Sequence, residues 1–297
     1  MPLALITGAS TGIGRASALR LAGSGWTVLA GVRDPAAGEQ LIADAGTSGT
    51  PGTGAPGSAG SVIPLTLDVT DAAQVAAARE RVDEEAARPG ASSRGGLDAL
   101  VNNAGIAVAG PLEIVPAEDL RRQFDVNVFA QVAVTRELLP ALRRARGRIV
   151  FVSSIGGRVA TPFMAPYAAS KYAIEAIGDA LRVELHRSGV KVALVEPGSV
   201  ATPIWEKGRA DAQRVVVPEE LQDAYGRVPA AMGKALENTA RRGVPPEQVA
   251  ETIERALTAS RMKARYIVGR DARAMLIGRR LLPDLVFDRV VKRALGV

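Results

Sequence analysis

Short runs of Val, Ile, Leu and Ala recur along the chain, separated by longer stretches in which apolar residues return every three or four positions. The runs fall at residues 3–7, 27–31, 62–67, 97–101, 148–153, 190–195 and 265–268. Each is strand-sized, and each is apolar throughout instead of alternating, as expected of parallel strands covered on both faces. The pattern predicts an α/β fold: one doubly wound, Rossmann-type domain over 1–297 with a parallel sheet of about seven strands and helices on both faces. Two segments interrupt the rhythm, 46–61, rich in Gly, Ser, Thr, Pro and Ala, and 88–96, where a helix returns to a strand. Both are expected to be surface loops within one sheet-forming unit, because the rhythm resumes directly after each. No internal repeat is present.

The first run leads into Thr7-Gly8-Ala9-Ser10-Thr11-Gly12-Ile13-Gly14, which opens a helix carrying Ala16, Leu19, Leu21 and Ala22. Glycines there permit a tight turn and close approach of backbone to a pyrophosphate, while free N–H groups and the helix dipole favour the anion. The spacing Gly8, Gly12, Gly14 departs from the standard dinucleotide fingerprint, and a plain strand-to-helix turn is the alternative. The second run ends in Val32-Arg33-Asp34. An Arg suits the 2′-phosphate of NADP(H), whereas an acidic residue binds the ribose hydroxyl of NAD(H). Arg33 therefore favours NADP(H), and Asp34 keeps NAD(H) open. The alternative is a solvated Arg33 with Asp34 capping the next helix.

Composition narrows the chemistry. The chain holds 47% hydrophobic and 23% charged residues, an ordinary globular balance. There is no Cys and only one His, His186, so thiolate nucleophiles, disulfides and thiolate metal sites are excluded and a zinc centre is not expected. The N-terminus has no basic leader, and no uncharged apolar stretch approaches the ~18 to 20 residues of a membrane-spanning helix, so a cytoplasmic protein is expected. The net charge of +6 is concentrated in 261–297, where 10 Lys/Arg face 3 Asp/Glu.

Four further strings follow in order: Asp68-Val69; Asn102-Asn103-Ala104-Gly105; Ser153-Ser154 with Tyr167-Ala168-Ala169-Ser170-Lys171; and Pro197-Gly198-Ser199-Val200-Ala201-Thr202. Together with the glycine turn, they make the sequence resemble the short-chain dehydrogenase/reductase family over residues 7 to about 202. The stretch from Ala165 to Leu185 further resembles the retinol and hydroxysteroid dehydrogenase branch. Tyr167 and Lys171 are four apart on a helix-like stretch and share a face. A free phenol titrates near ~10, and a nearby ammonium would favour its phenolate. The resemblance implies an oxidoreductase that interconverts an alcohol and a carbonyl, with Tyr167 as acid/base, Lys171 beside it and on the nicotinamide ribose, and Ser154 on the substrate oxygen.

By the same resemblance, Asn127 helps a water chain carry the proton to solvent, with a helix-satisfying amide as its alternative. Asn103, Ala104 and Gly105 pack on the adenine ribose, and Asp68 and Val69 lie near the adenine, though Asp68 could equally cap the following helix. Pro197, Gly198, Val200 and Thr202 face the nicotinamide. Gly8, Ser10, Thr11, Gly12, Ile13 and Gly14 form the pyrophosphate turn, and assembly as a homodimer or homotetramer through the helices bearing Asn127 and Tyr167 is implied.

A segment at about 203–243 carries Ile204, Trp205, Val215, Val216, Val217, Tyr225, Met232 and Leu236, where the family places its substrate lid. Its apolar content, with Ile155, Val159, Phe163 and Met164, points to a lipophilic substrate of steroid, retinoid or fatty-chain type. The C-terminal extension, about 270–297, ends in a basic amphipathic helix over 279–295, with Leu282, Leu285, Val286, Val290 and Leu295 among Arg279, Arg280, Arg289, Lys292 and Arg293. Covering the substrate mouth or a subunit neighbour is favoured over peripheral membrane contact, and nucleic acid is not expected as a partner. Two rival functions stand beside the dehydrogenase. Gly8-Ala9-Ser10-Thr11-Gly12 also satisfies a serine-esterase elbow, with Asp68 or Asp98 and then His186 in hydrolase order. The other rival is a non-catalytic NADP-binding regulator.

Overall fold

The computed structural model describes residues 1–47, 60–91, 94–206, 208 and 217–295. Seven parallel strands form one sheet in the order β3-β2-β1-β4-β5-β6-β7: β1 Leu3–Ile6, β2 Thr27–Val32, β3 Ser61–Thr66, β4 Ala99–Asn102, β5 Arg148–Val152, β6 Lys191–Pro197 and β7 Arg265–Val268. Each coincides with one of the apolar runs. The chain winds outward from β1 through β2 to β3, then crosses back to β4 on the other side and continues outward. The crevice beyond the carboxyl ends of β1 and β4 is the topological switch point where such sheets bind ligands.

Strand alternation explains the continuous apolar runs. Ala4, Ile6, Val28, Ala30, Val150 and Val152 face one way, onto α1 (Gly12–Gly23) and α8 (Pro246–Thr258) through Ala18, Leu21, Val249 and Ile253. Leu3, Leu5, Leu29, Ile149, Phe151 and Leu194 face the other way, onto α3 (Ala72–Ala86), α5 (Ala130–Ala145) and α6 (Ala165–Glu184) through Val75, Val82, Leu138 and Ile174. Both side-chain sets are buried, so apolar residues occupy both alternating positions along these strands. The helices α2 (Pro35–Thr47) and α4 (Ala117–Phe124) complete the first half.

After β6 the chain departs from the sheet and returns at Val244. The exit and re-entry are stitched by a parallel bridge between Val200 and Val244, with Ala201 N–H donating to Val244 O at 3.0 Å and Val244 N–H to Ser199 O at 2.9 Å. The excursion includes α7 (Val228–Arg242). The expected lid residues Val215 and Val216 lie outside the described residues, as do 48–59 and 92–93 of the two expected loops.

The C-terminal segment differs from the single helix expected over 279–295. It forms α9 (Arg270–Leu281) and α10 (Asp284–Leu295), broken at Leu282 and Pro283. Proline has no N–H and its ring clashes with the preceding turn, which overrides the apolar periodicity running through it. Residues 296–297 lie outside the described residues. Among the described residues no helix is long and apolar enough to cross a membrane.

Candidate active site

The glycine turn is fixed from two sides. Gly8 adopts φ +65°, the left-handed region that favours glycine. Gly14 is required for a different reason, since a Cβ there would lie 2.2 Å from the Gly8 carbonyl oxygen. The chain after β4 clamps the turn: Thr7 Oγ1 accepts from the N–H groups of Asn103 (2.9 Å) and Ala104 (3.0 Å), and Asn103 Nδ2 donates to the carbonyls of Thr7 (2.9 Å) and Gly8 (3.0 Å). The side chain of Asn103 thus builds the turn. Helix α1 begins beyond it without a side-chain cap from Thr11 and without an acidic residue in its first turn. Its N–H groups and positive dipole end therefore remain available to an anion at the crevice, which fits a dinucleotide pyrophosphate.

The two residues after β2 separate. Arg33 lines the crevice. Asp34 turns its carboxylate to the Ala36 N–H at 3.0 Å, at the start of α2. Asp68, also lining the crevice, accepts from the Thr70 hydroxyl (2.7 Å) and N–H (2.9 Å). Those bonds hold its carboxyl below the usual range, with a smaller contribution from Arg33. The cap of α3 is Asp71, which accepts from the Ala73 and Gln74 N–H groups, so of the two readings of Asp68 the capping role belongs to its neighbour.

At the carboxyl end of β5, Ser154 caps a short 3₁₀ turn over Ile155–Gly157, its Oγ accepting from Gly156 N–H at 3.0 Å. Tyr167 and Lys171, one turn apart in α6, are both buried. Burial raises the Tyr167 phenol, and its hydrogen bond with Ser154 pulls it down. Burial lowers the Lys171 ammonium to about 8, against the attraction of Glu175. The lysine Nζ donates to Val152 O at 2.8 Å and sits 5.8 Å from the centre of the Tyr167 ring. The expected lowering of the phenol by Lys171 is therefore not the dominant effect here: the ammonium is held on a carbonyl, and desolvation governs the tyrosine.

Asn127 lies in a π-helical turn, Asp125–Phe129, between α4 and α5. Such turns widen a helix and redirect its side chains. Its amide accepts from Ile106 N–H (2.9 Å) and donates to Ile106 O (3.0 Å) and Ser170 Oγ (3.1 Å), while Ser170 donates to the Tyr167 carbonyl (2.7 Å). Asn127 thereby joins the loop after β4 to the helix that carries Tyr167.

One crevice of about 970 Å³ is lined by Gly8, Ser10, Thr11, Gly12, Ile13, Arg33, Asp68, Val69, Asn103, Ala104, Gly105, Ser154, Tyr167, Lys171, Pro197, Gly198, Val200 and Thr202. Gly14 and Asn127 stand behind this lining. The esterase constellation is not assembled. Ser10 follows the carboxyl end of β1, whereas His186 is exposed in the turn that leads into the amino end of β6. Asp98 accepts from Leu3 N–H at the same far edge.

The family profile described as short chain dehydrogenase matches residues 2–213. The chain belongs to the short-chain dehydrogenase family. It is 34% identical over 98% of its length to an NADPH-dependent 3-dehydrocapnine reductase of Ornithobacterium rhinotracheale, covering 96% of that protein. It is also 34% identical to human retinol dehydrogenase 16, over 96% of this chain and 86% of the relative, in keeping with the branch resemblance. A solved short-chain dehydrogenase/reductase from Burkholderia phymatum in complex with NAD superposes with a TM-score of 0.75 at 26% identity, covering 94% of this chain and 92% of the other.

In this dehydrogenase, sequence reasoning missed a charge cluster around two buried glutamates behind Lys171. Arg265 Nε lies 3.0 Å from Glu175 and 2.9 Å from Glu196, and its Nη2 lies 2.6 Å from Asp179. Arg158 reaches Glu196 at 3.1 Å. Burial pushes Glu175 up to about 7, with Glu196 adding to the rise and Ser153 and Arg265 opposing it. Glu175 stands four residues after Lys171 on the same helix, a spacing that could have flagged it. Trp205, expected in the lid segment, packs its ring edge-on to Tyr167, 6.0 Å between centres.

Proposed function

We propose that the protein is an NADP(H)-dependent oxidoreductase that interconverts a carbonyl and an alcohol on a lipophilic small molecule. The observation that carries this reading is the convergence of Ser154, Tyr167 and Lys171 on the crevice that holds the glycine turn and Arg33. When bound, the nicotinamide supplies or accepts the hydride. Tyr167 Oη delivers or takes the proton at the substrate oxygen, Ser154 Oγ hydrogen-bonds that oxygen, and the Lys171 ammonium favours the deprotonated phenol as the proton leaves. Asn127 acts by holding the loop after β4 and the Tyr167 helix in register. Arg33 favours NADP(H), because the competing carboxylate of Asp34 is engaged at Ala36. The relative named as NADPH-dependent supports that choice, and the NAD-bound neighbour keeps NAD(H) as the weaker alternative.

Apolar surroundings support the substrate class. Ile204 and Trp205 line the crevice, and Ala109, Val228 and Met232 form a separate apolar cluster with Phe163, Met164 and Tyr225, which we assign to the lid. Tyr225 Oη donates to Glu113 Oε2 at 2.8 Å, tying the segment after β6 to the stretch before α4. Exposed Phe129, Tyr172 and Val183 supply an apolar surface for assembly of copies of the chain through the helices bearing Asn127 and Tyr167.

Fluorescence titration with NADPH and NADH tests the reading. The protein should bind NADPH more tightly, and Arg33→Ala should weaken NADPH by roughly 10- to 100-fold while leaving NADH almost unchanged, as expected for loss of a charged hydrogen bond. Tyr167→Phe should retain NADPH binding and lose about 10² to 10⁴ in turnover. Absence of nucleotide binding, or an active Tyr167→Phe, would overturn it.

A further inference from the structure

The hairpin of α9 and α10 presents two unlike faces. Inward, Met275, Leu276 and Phe287 pack against Ile155 and Val159, immediately after Ser154. Arg279 stacks 5.6 Å over the Phe287 ring and pairs with Asp284 at 2.6 Å, so the hairpin is anchored at its bend. Outward, Ile277, Leu281, Leu285 and Val290 are 52–74% exposed. With Val286, five of the eleven exposed large apolar side chains among the described residues lie on this hairpin, a concentration that scattered surface residues do not produce. Ile277 and Leu281 share one face of α9 at a spacing of four, as do Val286 and Val290 on α10.

The same surface is basic. Arg270, Arg273, Arg280, Arg289, Lys292 and Arg293 form no ion pair with a described residue; of the three carboxylates, Asp284 is engaged with Arg279, Asp271 accepts from Ser199 N–H at 2.8 Å, and Asp288 is exposed, leaving the cations in excess. Exposed apolar side chains ringed by unpaired cations complement an anionic lipid surface, whose headgroups meet the cations while the apolar side chains enter the interface. A symmetric contact with a second copy would instead set this cationic face against itself.

We propose that the α9–α10 hairpin docks the protein on an anionic lipid surface. Because the hairpin packs beside Ser154, docking holds the crevice close to the bilayer; only the delivery of a lipophilic substrate from it rests on the function proposed above.

Co-sedimentation of the full chain with phosphatidylcholine vesicles, with and without phosphatidylglycerol, tests the docking. The protein should pellet with phosphatidylglycerol vesicles, and binding should fall with salt and be weak on phosphatidylcholine alone. Each cation near such a surface contributes about fivefold in affinity, so Arg289→Glu/Arg293→Glu should lose at least about 25-fold, and Leu281→Glu/Leu285→Glu should lose pelleting as well. All four residues are exposed, so both variants should keep the wild-type melting temperature and the wild-type turnover of a water-soluble carbonyl. That turnover tests the enzymatic reading independently of vesicle binding. Failure of the wild type to pellet, equal binding to both vesicle types, or wild-type pelleting by both variants would overturn the proposal. So would a wild type that does not pellet but whose mass by light scattering falls in Leu281→Glu/Leu285→Glu, because the surface would then belong to a second copy.

Discussion

Replacing Arg265 with Leu removes the one cation shared by Glu175, Glu196 and Asp179. Glu196 is fully buried and Glu175 is 5% exposed, so neither carboxylate can turn to water, although Arg158 still reaches Glu196 at 3.1 Å. Leaving a buried charge without its partner costs about 3–5 kcal/mol. At roughly 2 °C per kcal/mol for a domain of this size, the melting temperature should fall by about 6–10 °C. The loss should depend on pH in a defined direction. Glu175 already holds its proton up to about 7, against a reference of 4.5, because it is buried, so its ionisation removes stability as pH rises through that interval. Without Arg265 the folded value rises further while the unfolded value stays put, and the interval extends upward. Melting curves should therefore show a small loss near about pH 5 and the full loss near about pH 8. Adding Glu175→Gln to Arg265→Leu should restore part of the loss at the higher pH. An unchanged melting temperature at about pH 8, or an equal loss at both pH values, would refute the assignment of these carboxylates to one buried cluster.

Two further substitutions probe the turn and a cap. In Gly14→Ala the new Cβ would lie 2.2 Å from the Gly8 carbonyl oxygen and 2.5 Å from Asn103 Nδ2. The turn must shift, so calorimetric NADPH affinity should fall at least about tenfold and stability by about 1–3 kcal/mol; wild-type affinity would contradict the tight approach. Asp71→Ala removes the acceptor for Ala73 N–H (2.9 Å) and Gln74 N–H (3.2 Å) at the start of α3. It should cost about 1 kcal/mol, read as roughly 2 °C in thermal melts, while Asp68→Ala should leave that helix start intact.

The strands were legible because burial on both faces favours apolar residues at successive positions: Leu3 and Leu5 serve one core, Ala4 and Ile6 the other. Apart from Tyr167 and Lys171, which α6 brings in, the residues of the crevice were legible because the strings that carry them follow strand ends, and strand ends of a doubly wound sheet converge. Partners were harder to read. Nothing local distinguishes Asn127 as a ligand of Ile106 and Ser170, or separates the turn-bonded Asp68 from the capping Asp71. Arg265 is 90 residues from Glu175 in sequence and meets it only because β7 lies beside β6. The spacing of Tyr167 and Lys171 gave their shared face, but the direction of the phenol shift depends on desolvation, which belongs to the packed fold. Pro283 was visible in the sequence, yet the apolar periodicity on either side of it masked the break.

The bridge between Val200 and Val244 separates two inheritances. Because the exit and return of the excursion are hydrogen-bonded to each other, the intervening residues form a detour whose end points are set by the sheet and not by its own length or content. Under the function proposed above, a change between those end points would reshape the molecule admitted while the register of the sheet below stays fixed. Between those end points, with Thr202 to Trp205 kept because they line the crevice, a cassette from a relative with a different substrate would be grafted.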